Sequence, residues 1–311
     1  MISPVINISI RKWGTRATLL VGVAFLTLGL IGASVATKFW HLLLAQGISF
    51  GWGMGFLYVG SLGILPQWFG RNRSLAMGLA ASGAGIGGLT YNLVTQALID
   101  SVGLAWTYRI LAIVAAVVNT AAAMLIRDRN QAVQPNQNAF DTRLLRRVEI
   151  LLIVGWGCLS ELGYIVLYYS LPYYAVSVGL STKQGSVAGA LFSLGIALGR
   201  PVVGFCSDKA GRITVAMLMT AFCGALCLLV WTFATNYAVV LFFAITSGTV
   251  GGTFWSTIAP VGAEIVGLKE LPVVLNMTWM LLVLPCTCRL TSVQNISLPK
   301  ANLFQLRDQS P

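Results

Sequence analysis

The few residues of this chain that can carry chemistry lie in apolar surroundings. Arg200 lies within GIALGRPVVGFC at 195–206, where no other residue is charged. A charge inside an apolar segment is costly to place in a bilayer, so it usually faces a bundle interior or an aqueous cavity. A guanidinium can bind both oxygens of a carboxylate. Arg200 is therefore a candidate ligand for an anionic solute; the alternative is an arginine that snorkels to the headgroups.

A second polar set surrounds a lone acid. Glu161, Tyr164 and Tyr168 are spaced i, i+3 and i+7 and so share one face of a helix. A carboxyl group in a low-dielectric site can bind and release a proton near neutral pH. Glu161 is predicted either to couple transport to protons or to stay protonated in an interhelical hydrogen bond. Asn92 and Trp255 are further candidates to line a solute cavity.

The remaining motifs favour packing over catalysis. The single histidine, His41, follows Trp40 at the end of an apolar run, and we find no Ser-His-Asp set or metal-ligand spacing, so an enzyme is disfavoured. No cofactor is expected other than a transported proton. The sequence GAGIGG at 83–88 matches a dinucleotide motif, but its apolar helical context predicts close helix packing through Gly83 and Gly87. The same glycine spacing recurs at 51 and 55, 195 and 199, and 248 and 252.

Composition places the protein in a lipid bilayer. Hydrophobic residues make up 57% of the 311 residues and charged residues 9%, with a mean hydropathy of +0.80. Average soluble domains contain roughly 25% charged residues, so the chain is predicted to be an integral membrane protein. Its apolar runs are long enough for helices and too long for barrel strands. The net charge of +11 is attributed to loops, and no nucleic-acid partner is expected.

Loop charges predict the orientation of the spans. Nine spans are predicted, near 17–36, 40–65, 75–98, 104–126, 150–174, 185–206, 213–234, 237–266 and 272–288. The loops on one side hold thirteen lysines and arginines, against Lys38 and Lys183 in the short loops of the other. Cytoplasmic loops are enriched in such residues. The N-terminus is therefore predicted to be cytoplasmic in a multi-pass protein of the plasma membrane or another cellular membrane.

A weak internal repeat divides the chain. RKWGTR at 11–16 resembles DKAGR at 208–212, and each precedes a long apolar run. Repeated halves are typical of secondary transporters. We predict an N-terminal bundle over 1–126, a cytoplasmic linker over 127–147, a C-terminal bundle over 148–288 and an irregular tail over 289–311. Comparison of the halves suggests that two spans are lacking before residue 11 and at least one after residue 288.

The second copy of the repeat resembles a known family. It matches the loop signature G-x-x-x-D-[RK]-x-G-[RK] of the major facilitator superfamily through Gly204, Asp208, Lys209, Gly211 and Arg212. The stretch WFGRNRSLAMGLAASGAGIGG at 68–88 is similar to the fifth-helix signature of the monocarboxylate transporter-like branch, and ELPVVLNMTWMLLVLP to the eleventh helix of its fungal members. The resemblance implies an all-α membrane fold of two bundles, with about nine of twelve expected helices.

The resemblance also implies roles for individual residues. An arginine of the family's eighth helix meets an anionic solute, and Arg200 matches it. The loop aspartate, here Asp208, caps a helix of the opposite bundle, and the basic residue pairs with an acid, for which Glu264 is the candidate. Arg11 stands where the first-half loop would have its aspartate.

Three functions remain open from the sequence. The first is a transporter of a small organic anion, such as a monocarboxylate, working by alternating access. The second is an inactive or regulatory fragment of one. The third, disfavoured, is a membrane receptor or enzyme.

Overall fold

The computed structural model describes residues 2–135, 141 and 143–305, without the side chains of Asn92, Leu93, Gln96, Thr182 and residues 284–305. Within this part every regular element is helical, as the sequence predicts.

The first half contains six α-helices. Helix α1 is broken at Gly14, whose φ is 78°. A π-helical segment, Leu43–Phe50, joins α2 and α3 into one rod. The bounds are α1 Ser3–Ser34, α2 Phe39–Leu42, α3 Gly51–Leu62, α4 Leu65–Trp68, α5 Arg73–Val102 and α6 Leu104–Leu125.

The linker and the second half contain the other six. Helix α12 is broken at Gly267, whose φ is 75°. The bounds are α7 Asn130–Val133, α8 Val148–Ser177, α9 Thr182–Ala210, α10 Arg212–Leu229, α11 Tyr237–Val250 and α12 Thr253–Gln305, with 3₁₀ turns at Leu144–Arg146 and Trp231–Phe233.

Seven helical stretches of the described chain are long and apolar enough to cross a membrane, by length and composition alone, whereas the sequence predicts nine spans. Each predicted span is mainly helical, although 237–266 crosses the turn between α11 and α12. Spans 237–266 and 272–288 belong to one stretch, Tyr237–Val283. Span 75–98 lies in α5, which is not among the seven stretches.

Both ends of the described chain differ from the predictions. Residues 3–13, for which no span is predicted, are helical, and Ser3 Oγ donates to Asn276 O of the second half at 3.3 Å. The tail, predicted to be irregular from residue 289, continues α12 to Gln305.

The linker is held against the first bundle. Trp68 Nε1 donates to Arg127 O at 2.9 Å, and the Arg129 guanidinium lies 4.3 Å from the Trp68 ring centroid. Gln67 Nε2 donates to Asn130 Oδ1 at 3.0 Å. The first part of the linker is thereby attached to the end of α4.

Helices α5 and α9 form the closest contact between the halves. A Cβ atom added at Gly78 would lie 2.3 Å from Arg200 O, and one at Gly85 would lie 2.4 Å from Ala197 N. Real Cβ atoms do not approach backbone so closely, so these positions accept only glycine without a backbone shift. The predicted pair Gly83 and Gly87 is wrong in detail: a Cβ at Gly83 meets nothing within 4 Å, because that residue faces away from α9.

Glycines also hold α9 against α11. A Cβ at Gly195 would lie 2.5 Å from Ile245 O, and one at Gly199 would lie 2.3 Å from Thr249 O. The predicted close packing through these two glycines is confirmed. Helix α9 therefore contacts backbone on two sides, α5 from the other half and α11 from its own.

Gly85 and Gly83 provide a matched test of this contact. We expect Gly85→Ala to lower the stability of the detergent-solubilised protein by about 1–3 kcal/mol, because the added methyl group overlaps the α9 backbone. Gly83→Ala should leave it unchanged or raise it slightly, since alanine favours helix more than glycine does. Thermal unfolding of the two variants in parallel gives the comparison. Equal melting temperatures would contradict the α5–α9 packing.

Candidate functional site

Arg200 lies between the two bundles. It belongs to α9 and is 5% exposed, and its Nη1 donates to Ala81 O of α5 at 2.7 Å. Its Nε has no hydrogen-bond partner in the described structure. A snorkelling arginine would extend its guanidinium toward the membrane surface, whereas this one reaches across to a carbonyl of the opposite half. Part of its donor capacity remains unused.

Gly252, which follows α11, lies close to both the Arg200 guanidinium and the Tyr164 ring. Its φ is 70°, and a Cβ there would lie 3.2 Å from Arg200 Nη2 and 2.9 Å from Tyr164 Cε2. Only glycine combines this backbone conformation with so close an approach. The spacing of Gly248 and Gly252 predicts only a helix-packing pair and does not indicate this role. The adjacent Gly251, which makes a glycine doublet inside a predicted span, was the available signal.

Glu161 of α8 is a buried acid near this arginine. It is 3% exposed, and its Oε1 has no hydrogen-bond partner among the described residues. The carboxyl group lies within electrostatic range of Arg200 and beside Trp255, but the described side chains show no ion pair between Glu161 and Arg200. A buried acid and a buried base therefore both keep open hydrogen-bonding positions in the same region.

The two tyrosines of α8 extend the site along the helix. The Tyr164 and Tyr168 ring centroids are 6.2 Å apart. The Phe192 ring centroid of α9 lies 6.3 Å from that of Tyr164 and 5.9 Å from that of Tyr168. The predicted shared face of Glu161, Tyr164 and Tyr168 is thus turned toward α9. Asn92, also predicted to line the site, has a side chain outside the described part of the chain.

A cavity of about 380 Å³ adjoins this region in the second bundle. Glu161, Tyr164, Gly252 and Thr253 are among its lining residues. Its volume lies within the range typical of small-molecule sites.

Trp255 joins an aromatic cluster that we call the indole cluster, made of Tyr58, Trp255 and Trp279. The two indole centroids are 5.0 Å apart, and Tyr58 lies edge-on to Trp255 at 5.4 Å and to Trp279 at 5.5 Å. Tyr58 belongs to α3 and both tryptophans to α12, so the cluster spans the halves. It lines a second cavity, of about 390 Å³.

Asp208 closes the interface at one end. Its carboxylate accepts hydrogen bonds from Ser74 N at 3.1 Å and from Leu75 N at 2.8 Å. These N–H groups are the second and third of α5, which lack partners inside the helix. The α5 N-cap residue, Asn72, makes no side-chain cap of its own. Asp208 therefore supplies the missing cap from the opposite bundle.

The other loop residues surround this cap. Arg212 pairs with Asp208 at 3.3 Å, donates to Gly70 O at 3.3 Å and approaches Glu264 at 3.8 Å. Lys209 is exposed and lies 4.2 Å from the Phe205 ring centroid. Gly204 packs on the first turn of α5, where an added Cβ would lie 2.3 Å from Ser74 O. Gly211 immediately precedes α10 and has a φ of 98°. The loop thus joins one end of α5 to the second bundle.

Comparison with known sequences identifies relatives of this chain. A sequence model of the Major Facilitator Superfamily matches residues 1–283. The probable transporter MCH2 of Saccharomyces cerevisiae is 33% identical over 283 residues, which cover 89% of this chain and 60% of the relative. The MFS-type transporter pynF of Aspergillus niger is 29% identical over 271 residues, covering 83% and 61%. The chain spans about three fifths of the length of these curated relatives.

Comparison with solved structures agrees on the fold. The E. coli fucose:proton symporter FucP superposes with a TM-score of 0.60 at 14% identity, covering 93% of this chain and 87% of that one. A structure of FucP in the outward conformation gives a TM-score of 0.61, also at 14% identity, covering 93% and 86%. With its apolar helices, this chain is a multi-pass integral membrane protein. It belongs to the Major Facilitator Superfamily, as the loop around Asp208 predicts.

Proposed function

We propose that this chain carries the solute path of a secondary transporter for a small organic anion, such as a monocarboxylate, working by alternating access. The buried, partly unpaired guanidinium of Arg200 between the bundles is the observation that carries this proposal. Transporters of this kind place their solute site at the interface of two repeated halves. The relatives named above as transporters support the same function.

The chemistry of the site favours an anion. A guanidinium has five N–H donors, and the carbonyl of Ala81 uses one of them. A carboxylate is a suitable partner for the remainder, because its two oxygens match the planar fork of the guanidinium. Glu161 is the nearby internal acid, but it makes no ion pair with Arg200 in the described structure. The two groups are therefore free to serve different roles.

Arg200 is the residue on which solute binding should depend. We expect Arg200→Ala to reduce saturable uptake of a monocarboxylate at least tenfold, because it removes the positive charge. Arg200→Lys should also fail, since an ammonium group cannot reproduce the fork. Uptake of radiolabelled lactate and pyruvate into proteoliposomes measures both effects. Arg109→Ala, which changes an arginine near the start of α6, is the matched control and should keep wild-type uptake. Wild-type uptake by the two Arg200 variants would refute the proposal.

Glu161 is the proposed proton site. Its carboxyl group is buried beside an arginine, so gaining or losing a proton changes the net charge that an anionic solute meets. Protonation of Glu161 would favour binding of an anion at Arg200 by removing the competing negative charge. Loss of the proton would favour release. This arrangement couples the proton to the anion without a cofactor.

Replacement of Glu161 tests the coupling. Glu161→Gln imitates the protonated acid permanently, so uptake should no longer rise as the external pH falls from 7.5 to 5.5. Glu149→Gln, in the exposed first turn of the same helix, should keep the wild-type pH profile. Initial uptake rates across this pH range provide the measurement. A Glu161→Gln variant that retains the acid stimulation would eliminate this residue as the proton site.

The loop around Asp208 is the proposed gate on the cytoplasmic side. Its two hydrogen bonds to α5 hold the ends of the bundles together, and they must break when the bundles separate there. Removing them should favour the state that is open on this side. Helix caps of this kind are worth about 0.5–2 kcal/mol, enough to shift a two-state population several-fold.

Spin labels can report this shift. With labels at positions 72 and 210, both exposed, Asp208→Ala should increase the population of long distances between α5 and α9 several-fold. Lys209 lies next to the cap and contacts the Phe205 ring, so Lys209→Ala should not change the distance distribution. Double electron–electron resonance in nanodiscs measures the distance distributions. Identical distributions for wild type and Asp208→Ala would show that the cap does not hold the gate.

A further inference from the structure

The indole cluster has a feature that ordinary core packing does not explain. The indole nitrogens of Trp255 and Trp279 are both buried; that of Trp255 lies next to the Glu161 carboxyl group, whereas that of Trp279 has no hydrogen-bond partner in the described structure. Buried tryptophans usually find an acceptor for this N–H group. Here the unpaired donor belongs to a ring stacked on that of Trp255, with an interplanar angle of 28°. The cluster therefore contains one buried indole N–H group without an acceptor.

The cluster lies beside a space that a solute can enter. A cavity of about 390 Å³ is lined by all three of its rings, together with Ile6, Met54 and Val59. Its other walls are mainly apolar, so it suits a flat hydrophobic group better than a second charge. The rings themselves are partly buried, not sealed in a core.

Electrostatic and spatial links connect this cavity to the proposed anion site. Tyr58 lies within electrostatic range of both Arg200 and Glu161. Trp255 is adjacent to Glu161. Gly252, three residues before Trp255 in the chain, lies beside the Arg200 guanidinium. A molecule with its charged end at Arg200 could thus extend its body toward the three rings.

We propose that the solute is a planar aromatic or conjugated carboxylate, with its carboxylate at Arg200 and its ring against Tyr58, Trp255 and Trp279. The proposal rests on the proposed anion transport and narrows its substrate class. Stacked and edge-to-face rings attract each other beyond the effect of the area they bury. An oxygen substituent on the ring would supply an acceptor for the indole N–H group of Trp279.

The rings also fit a carrier that changes shape. Because Tyr58 belongs to the first bundle and the tryptophans to the second, separating the bundles on one side would alter their contacts with each other. A planar solute between them would contact both halves, as alternating access requires. A purely aliphatic acid would reach Arg200 without using this part of the cavity.

Two acids of equal size and charge test the proposal. Cinnamate and 3-cyclohexylpropanoate have the same number of non-hydrogen atoms, but only the first is planar and aromatic. We expect the protein in nanodiscs to bind cinnamate about tenfold more tightly by isothermal titration calorimetry. Trp279→Leu should reduce this preference to less than twofold while leaving the affinity for 3-cyclohexylpropanoate within twofold of wild type. Trp279→Phe, which keeps an aromatic ring, should retain most of the preference, because cinnamate has no ring oxygen to accept a hydrogen bond from the indole N–H group.

Controls separate this proposal from the one it rests on. Trp40→Leu, which changes a tryptophan that is 60% exposed, should keep the full preference. Retained binding of 3-cyclohexylpropanoate shows that each variant is folded. Equal wild-type affinity for the two acids, or equal weakening of both by Trp279→Leu, would overturn the aromatic proposal while leaving anion binding at Arg200 intact. Failure of both acids to bind, or binding that Arg200→Ala does not change, would refute the anion site itself, and the aromatic proposal with it.

Discussion

The burial of one guanidinium between two helical bundles is the constraint on which this structure depends. The carbonyl of Ala81, from the opposite bundle, accepts a hydrogen bond from Arg200 and so offsets part of the cost of burying it. That contact requires α5 and α9 to approach to backbone distance. Gly78 and Gly85 permit the approach, since any side chain at either position would overlap α9. Close packing of the halves and the chemistry at their interface therefore have the same physical origin.

The two halves of the repeat are not equivalent at their loops. Asp208 caps the first turn of α5 across the interface, and Arg212 links that cap to Glu264 of its own bundle. At the corresponding position of the first-half repeat stands Arg11, which lies within α1 and whose positive charge is unsuited to capping the N-terminus of a helix. The joining of the halves at this end therefore depends strongly on one acidic side chain. A transporter with such an asymmetric pair of loops would have one dominant gate.

The region between the bundles combines a charged part and an aromatic part. Arg200 and Glu161 are buried with open hydrogen-bonding positions, while the indole cluster lines a cavity and holds the unpaired N–H group of Trp279. Arg200 contacts the first bundle through Ala81, and the indole cluster combines Tyr58 of the first bundle with Trp255 and Trp279 of the second. A solute that used both would be selected by charge at one end and by shape at the other, which a lone arginine could not achieve.

The sequence by itself determined the membrane class, the helical fold and the family loop, because hydropathy and a short loop motif are local properties of the chain. It also drew attention to Arg200 and Glu161, since a charge within an apolar run is visible without a structure. Glycine spacing correctly predicted the packing of Gly195 and Gly199 but selected Gly83 and Gly87 in α5, whereas the contact with α9 uses Gly78 and Gly85. It missed Tyr58, Trp279 and the role of Gly252, because an aromatic residue in a membrane helix looks the same whether it faces lipid or a cavity. Only the tertiary structure decided which helix faces meet, since contacts between residues far apart in the chain depend on the relative position of whole helices.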